Sequence, residues 1–116
     1  ACGEPNTISW DILRNHVSAF ISCPDWVSAK GMRMLGVPVK GDPTVISGES
    51  GAVGMGCLDA IMCDDTYKEL RDALELNRFS QVLMFSTEGN TDPLKFRRVI
   101  WDGEYPTTDT PQHPYQ

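Results

Sequence analysis

The most constraining feature of the sequence is a short apolar segment, residues 44–47, that leads through a glycine-rich turn into a long apolar stretch. Gly48, Gly51 and Gly54 follow one another at intervals of three residues. Because glycine tolerates positive φ and has no Cβ, the turn can take left-handed conformations, and the first helical turn offers bare backbone to a neighbour. The pattern predicts a strand followed by a buried helix over residues 50–62, whose N-terminus borders a binding site.

A second apolar segment, residues 79–86, ends in a similar way. It is followed by Thr87, Glu88, Gly89 and Asn90, which are polar or small. Residues 17–22 form a third short apolar segment with β propensity. Two strands that end in polar residues with a glycine indicate one shared site at the edge of a sheet.

The segments between these strands are typical of helices. Asn6 or Thr7 is a suitable N-cap for the first helix, and the residues from Thr66 to Glu69 match a capping box. The predicted helices cover residues 8–16, 24–36, 50–62, 66 onward and 93–101. The inner face of the second helix is predicted to carry Val27, Gly31, Met34 and Leu35.

The order of elements predicts an α/β fold with a partial parallel sheet of about three strands flanked by helices. A sheet this thin gives little cover to the apolar helix over residues 50–62. We therefore expect residues 1–101 to be a portion of a larger domain. Residues 102–116, rich in Pro and Thr, are predicted to be an irregular tail.

The composition argues against several classes of partner. The net charge is −6, and no basic cluster is larger than the pair at 97–98, which disfavours nucleic acid. No apolar run approaches the roughly 18 residues of a membrane helix. Without a signal-peptide pattern at its start, the chain is expected to be cytoplasmic.

The spacing of the four cysteines matches no zinc or redox motif, so no metal site is predicted. Cys57 lies in the apolar helix and is expected to be a small buried residue. A disulfide between Cys2 and Cys23 is conceivable, but two free thiols are favoured because the chain is expected to be cytoplasmic.

Residues 48–52 nearly match the nucleophile elbow Gly-x-Ser-x-Gly, with Ala in the last place. A hydrolase would use Ser50 as nucleophile and His113 as base. The orienting carboxylate would be Asp92, Asp102 or Asp109. No oxyanion loop precedes the elbow, so the pattern favours Ser50 as a helix N-terminal residue. For Glu49, a structural role and a functional role are equally favoured.

Four motifs and Gly36 carry a more specific signal. They are Cys-Gly-Glu-Pro-Asn at 2–6, Ser-Cys-Pro-Asp-Trp at 22–26, Ser-Gly-Glu-Ser-Gly-Ala at 47–52 and Phe-Ser-Thr-Glu-Gly-Asn-Thr-Asp-Pro at 85–93. Together they resemble the C-terminal part of the diaminopropionate ammonia-lyase family, fold type II pyridoxal-phosphate enzymes of the threonine dehydratase group. The resemblance covers residues 1–105. It implies a homodimeric carbon–nitrogen lyase that converts an amino acid, 2,3-diaminopropionate, to pyruvate and ammonia by α,β-elimination.

The resemblance also assigns cofactor-binding residues. The Thr87 hydroxyl would hydrogen-bond the pyridine nitrogen of pyridoxal phosphate, with Ser86 and Glu88 supporting it. Gly48 and Glu49 would line the cleft near the ring. A neutral hydroxyl does not hold the ring nitrogen protonated as an aspartate would, which favours elimination over transamination.

The family's Schiff-base lysine, phosphate loop and acid/base carboxylates would all lie N-terminal to these motifs. Lys30, Lys40, Lys68 and Lys95 occupy predicted surface segments and do not match the lysine motif. We therefore assign no catalytic residue to this chain and expect it to be inactive without the missing N-terminal portion. The alternatives are a related serine/threonine dehydratase and a small binding domain without catalysis.

Overall fold

The computed structural model describes residues 6–107, which form five α-helices and one short 3-10 helix. The helices are α1 (Thr7–His16), α2 (Asp25–Gly36), α3 (Glu49–Cys63), the 3-10 helix (Asp65–Tyr67), α4 (Lys68–Ala73) and α5 (Pro93–Ile100). Four of the predicted helices are confirmed to within one residue at each end.

Short polar side chains fix where the helices begin. Asn6 Oδ1 accepts hydrogen bonds from the backbone N–H groups of Ile8 and Ser9, both at 3.0 Å, and so caps α1. The capping-box prediction was wrong about the N-cap residue, which is Asp64 rather than Thr66. The Asp64 side chain accepts a hydrogen bond from Thr66 N at 2.9 Å. The chain therefore enters α4 through the 3-10 helix rather than directly at Thr66.

The predicted parallel sheet is not confirmed, since no residue between 6 and 107 is in a strand. Residues 17–22, 44–47 and 79–86 are neither helical nor paired as strands. The last two segments meet at their ends, where Gly48 N donates to Glu88 O at 3.0 Å. One such bond does not make a ladder, and the apolar side chains of Phe79, Leu83 and Phe85 are exposed. These segments lack pairing partners within the described part of the chain.

Helices α2 and α3 cross with their backbones in contact. A Cβ atom at Gly31 would overlap the Ala52 carbonyl, and one at Gly56 would overlap the Val27 carbonyl. Beside this crossing Lys30 Nζ lies 2.6 Å from Asp59 Oδ2, and the Asp59 side chain is only 6% exposed. Glycine is therefore required at both positions for the helices to pack this closely.

The small core lies where α5 packs against this helix pair. Its buried residues are Ala29, Met32, Ala52 and Val99, with Leu35, Phe96, Ile100 and Tyr105 packed around them. The predicted inner face of α2 was wrong at one position, because Met32 rather than Met34 is buried. Met32 and Ala29 belong to the core cluster that includes Val99 of α5, whereas Val27 and Gly31 contact α3.

A single arginine joins α2 to the chain that follows α5. Arg33 Nε donates to the carbonyl oxygen of Val99 at 3.2 Å, and the guanidinium also donates to the carbonyls of Glu104 and Tyr105. These bonds fix residues 104–105 against the helices.

No described helix is long and apolar enough to cross a membrane.

Candidate functional site

The two predicted site segments meet through a buried serine. Ser47 is fully buried, and its Oγ lies 2.9 Å from Ser86 Oγ. Ser47 Oγ also donates to the Glu88 carbonyl at 3.1 Å, next to the bond from Gly48 N. We call this contact between residues 47–51 and 86–88 the junction. It confirms that the ends of the two apolar segments share one place in the fold.

The three glycines of the first segment all face residues 84–88. A Cβ at Gly48 would collide with the Glu88 carboxylate, and one at Gly51 would collide with the Ser47 and Ser86 hydroxyls. A Cβ at Gly54 would lie 3.5 Å from Met84 Sδ. The left-handed backbone that glycine permits is not used at Gly48, which has φ −72°, and the described glycines with positive φ are at 41 and 103. Glycine is needed at 48 and 51 because the two segments approach closely.

Both predicted glutamates are held by neighbouring side chains. Glu88 Oε1 accepts a hydrogen bond from Thr91 Oγ1 at 2.7 Å. Glu49 is the first residue of α3, and its Oε1 lies 3.3 Å from Lys95 Nζ on α5. The two carboxylates therefore have different partners, one from the 89–92 loop and one from the first turn of α5.

Thr87 is exposed, as Ser86 is, but it differs from both neighbours because its hydroxyl makes no hydrogen bond within residues 6–107. Ser86 on one side and Glu88 on the other are both held in the junction. The junction thus fixes the backbone at Thr87 and leaves its hydroxyl available to a ligand.

Behind the junction lies a cleft of about 70 Å³. Its lining residues are Met32, Ser47, Gly48, Glu49, Glu88, Gly89, Asn90, Asp92, Lys95 and Phe96. Lys95 is the one cation in this lining, and its side chain is 20% exposed. The expectation that Lys95 lies on the surface was therefore wrong. Burial tends to lower the pKa of the Lys95 amine, but the hydrogen bond to Glu49 and the charges nearby raise it above its ordinary value.

Comparison with known proteins identifies the relatives of this fold. No family model matches the chain. Diaminopropionate ammonia-lyase from Escherichia coli (strain K12) is 51% identical over 105 residues, which are 90% of this chain and 26% of that protein. The chain is homologous to diaminopropionate ammonia-lyase. It spans about a quarter of the length of the curated relatives that it matches.

Solved structures agree with the sequence comparison. Diaminopropionate ammonia-lyase from Escherichia coli in complex with D-serine matches with a TM-score of 0.85 and 51% identity, over 91% of this chain and 27% of that one. The same enzyme in complex with an aminoacrylate-PLP azomethine reaction intermediate also gives a TM-score of 0.85 and 51% identity, over 91% and 28% of the two chains. The predicted resemblance is confirmed, and the fold matches that of a portion of diaminopropionate ammonia-lyase.

The hydrolase alternative gains no support from the residues that can be examined. Ser50 is an exposed residue in the first turn of α3. The Asp92 carboxylate accepts from Lys95 N at 3.0 Å and caps α5. His113 and Asp109 lie outside the described residues, as does Cys2 of the possible disulfide. Homology to diaminopropionate ammonia-lyase gives the glycine turn a different explanation.

A larger cavity, about 340 Å³, lies on the other side of α3. Its lining includes Cys23, Cys57 and Cys63 together with the Lys30–Asp59 ion pair. Cys57 is half-buried rather than fully buried as predicted. Burial first, and then the adjacent Cys23, raise the pKa of the Cys57 thiol to about 11. No three described His, Cys, Asp or Glu residues are arranged to hold a metal.

Sequence reasoning missed two residues of the junction and its cleft. Ser47 ends an apolar run, and its position directly before Gly48 is the signal that would have placed it beside the second segment. Lys95 lies three residues after the N-cap Asp92, so it points from the first turn of α5 towards Glu49.

Proposed function

We propose that this chain is part of a pyridoxal-phosphate-dependent diaminopropionate ammonia-lyase of fold type II. The complete enzyme would convert 2,3-diaminopropionate to pyruvate and ammonia by α,β-elimination. One observation carries the proposal: the fold matches, at 51% identity and a TM-score of 0.85, a relative whose structure holds a PLP reaction intermediate.

Within that enzyme this chain would form one wall of the cofactor site. The wall consists of Gly48, Glu49, Ser86, Thr87 and Glu88, which the junction brings together. Support for the assignment comes from Thr87, whose hydroxyl is exposed and makes no hydrogen bond within residues 6–107. A hydroxyl in this state suits a ring nitrogen that needs one polar neighbour.

When bound, pyridoxal phosphate supplies the electron sink that stabilises negative charge at the substrate α-carbon. The residues of this chain would orient and hold the cofactor, and none of them is assigned a proton transfer. Thr87 offers a neutral hydroxyl to the ring nitrogen, and Ser86 fixes the Thr87 backbone through Ser47. Glu49 presents a carboxylate at the rim of the cleft, paired with Lys95. A neutral partner for the ring nitrogen favours loss of the β-substituent over reprotonation.

The remaining parts of the site would come from the rest of the enzyme. By resemblance these are the Schiff-base lysine, the phosphate loop and the acid/base carboxylates. We further propose that the complete enzyme is a cytoplasmic homodimer, and sedimentation velocity of the complete protein tests the dimer. This chain alone is expected to show no lyase activity.

Thr87 provides the direct test of the cofactor wall. In the complete enzyme, Thr87→Asp would place a carboxylate beside the ring nitrogen in place of the hydroxyl. We expect this variant to lower kcat by roughly 100-fold or more while pyridoxal phosphate is retained. Turnover is measured as pyruvate formed from 2,3-diaminopropionate, and cofactor retention by the absorbance of the bound ring.

Thr87→Ser is the matched control because it keeps the hydroxyl. Its kcat is expected to stay within roughly threefold of that of the parent enzyme. Unchanged turnover in Thr87→Asp, or an equal loss in Thr87→Ser, would contradict a ring contact at this hydroxyl.

A related serine/threonine dehydratase is the second candidate. One structural relative is a complex with D-serine, which makes serine the competing substrate to compare. We expect the complete enzyme to have the higher kcat/KM with 2,3-diaminopropionate. A higher value with serine or threonine would assign the chain to the dehydratase group instead.

A further inference from the structure

Lys95, the cation of the cleft, has two carboxylates within 4.0 Å, and the distances separate their roles. Lys95 Nζ lies 3.3 Å from Glu49 Oε1 and 4.0 Å from Glu104 Oε1. Glu104 has a closer partner, since its Oε2 accepts from Arg98 Nε at 3.0 Å. Lys95 is therefore principally the partner of Glu49, and Arg98 is principally the partner of Glu104.

The environment of Lys95 holds its amine in place. The ammonium lies 4.8 Å from the centre of the Tyr105 ring, a cation–π contact that adds to the ion pair. Tyr105 is itself fixed because its carbonyl accepts from Arg33. The Lys95 side chain is 20% exposed, against 46% for Glu49. The lysine is the more firmly held member of the pair, so it sets the position of the carboxylate.

The backbone of Lys95 is tied to the other side of the junction. Asp92 caps α5 by accepting from Lys95 N at 3.0 Å. One residue earlier, Thr91 donates to the Glu88 carboxylate at 2.7 Å. The start of α5 thus contacts Glu88 through the loop and Glu49 through Lys95, and both glutamates belong to the proposed cofactor wall.

We propose that Lys95 is a positioning residue that fixes the Glu49 carboxylate at the rim of the cofactor site. The inference rests on the proposed function and adds a residue that the sequence placed on the surface. Lys95 acts through Glu49 and does not itself touch the ring. Loss of the lysine would leave Glu49 without its cation and free to change rotamer, which would loosen the cofactor wall.

A double-mutant cycle in the complete holoenzyme tests this role. The variants are Lys95→Met, Glu49→Gln and the two combined, with Lys95→Arg to restore the charge. The readout is the dissociation constant of pyridoxal phosphate, measured by titrating the apoenzyme and following the absorbance of the bound cofactor; kcat and KM are measured alongside. Lys68→Met is the matched control, because Lys68 forms an exposed ion pair with Asp72 on α4 at 2.7 Å, with neither residue in the cleft.

We expect Lys95→Met to raise the dissociation constant of pyridoxal phosphate about fivefold, an effect typical of losing one partly buried ion pair. Lys95→Arg should recover most of the lost affinity. In the Glu49→Gln background the same substitution should have no further effect, because its target has been removed. Lys68→Met should leave the constant unchanged.

Two outcomes would overturn the inference. One is an equal effect of Lys95→Met with and without Glu49→Gln, which would assign Lys95 to packing against Tyr105. The other is no effect of Lys95→Met on the cofactor constant or on kcat and KM. Failure of the proposed function is distinguishable from both, since the parent enzyme would then bind no pyridoxal phosphate or form no pyruvate.

Discussion

At the scale of single residues, Cys57 shows how its surroundings change a side chain's chemistry. Burial raises the pKa of its thiol, and Cys23 raises it further, to about 11. Because the thiolate is the reactive form, we expect iodoacetamide to label Cys57 slowly near neutral pH and faster as the pH approaches 11. Mass spectrometry of the labelled peptide, with pH varied, measures this.

The neighbouring thiol provides the control. Cys23→Ala removes the second cause, so Cys57 should react at a lower pH than in the parent protein. The chain in denaturant gives the rate at an ordinary pKa. Between pH 9 and 11 the unfolded thiol ionises while the folded one does not, so its contribution to stability falls as the pH rises. Equal labelling rates in folded and denatured protein near neutral pH would contradict the raised pKa.

Residue-scale predictions from the sequence succeeded where chain order alone decides proximity. Glu49 and Glu88 follow apolar segments that end side by side, so their neighbourhood was predictable. The pairing of Glu49 with Lys95 was not, because it depends on how α5 packs on α2 beside α3, and no local pattern encodes that. The glycines were recognised, and of the two uses open to them the structure shows close packing against residues 84–88 rather than left-handed backbone at Gly48.

At the scale of secondary structure, the α2–α3 crossing depends on two glycines. In Gly56→Ala the new Cβ would meet the Val27 carbonyl, which is backbone and has little room to move. We expect the helices to be forced apart, at a cost of about 1–3 kcal/mol of unfolding free energy. Thermal unfolding of the complete enzyme, with and without the substitution, measures the loss.

Gly54→Ala is the matched control in the same helix. Its Cβ would lie 3.5 Å from Met84 Sδ, an ordinary contact, and alanine favours helix by about 1 kcal/mol over glycine. This variant should be as stable as the parent or more so. If Gly56→Ala matched it, the close helix crossing would be wrong.

Helices were predictable from the sequence and the sheet was not, for one physical reason. A helix satisfies its backbone within its own residues, so caps such as Asn6 and Asp92 and the apolar spacing suffice to locate it. A strand exists only if a neighbouring strand accepts and donates hydrogen bonds. Residues 17–22, 44–47 and 79–86 have strand-like sequences, yet the described chain supplies no ladder for them.

At the scale of the whole molecule, the described residues expose an unusually large amount of apolar surface compared with the amount that they bury. Among residues 6–107, more large apolar side chains are exposed than are buried, and none of the α1 residues is buried. Monomeric proteins seldom expose so many large apolar side chains, and exposure of this extent is typical of surface that another part of a protein covers. This distinguishes a portion of an enzyme from a small binding domain that folds and works alone.

The isolated 116-residue chain is therefore expected to bind a hydrophobic dye strongly and to self-associate. Dye fluorescence and sedimentation velocity measure the two properties. Phe79 and Leu83 are 81% and 79% exposed, so replacing both with Ser should lower dye binding and association. The matched control replaces Lys68 and Asp72 of α4 with Ser, which should change neither. Apolar surface of this extent in water is expected to be buried between copies of the chain. A monomer that binds no dye would therefore contradict the exposed surface and favour a small binding domain that folds alone.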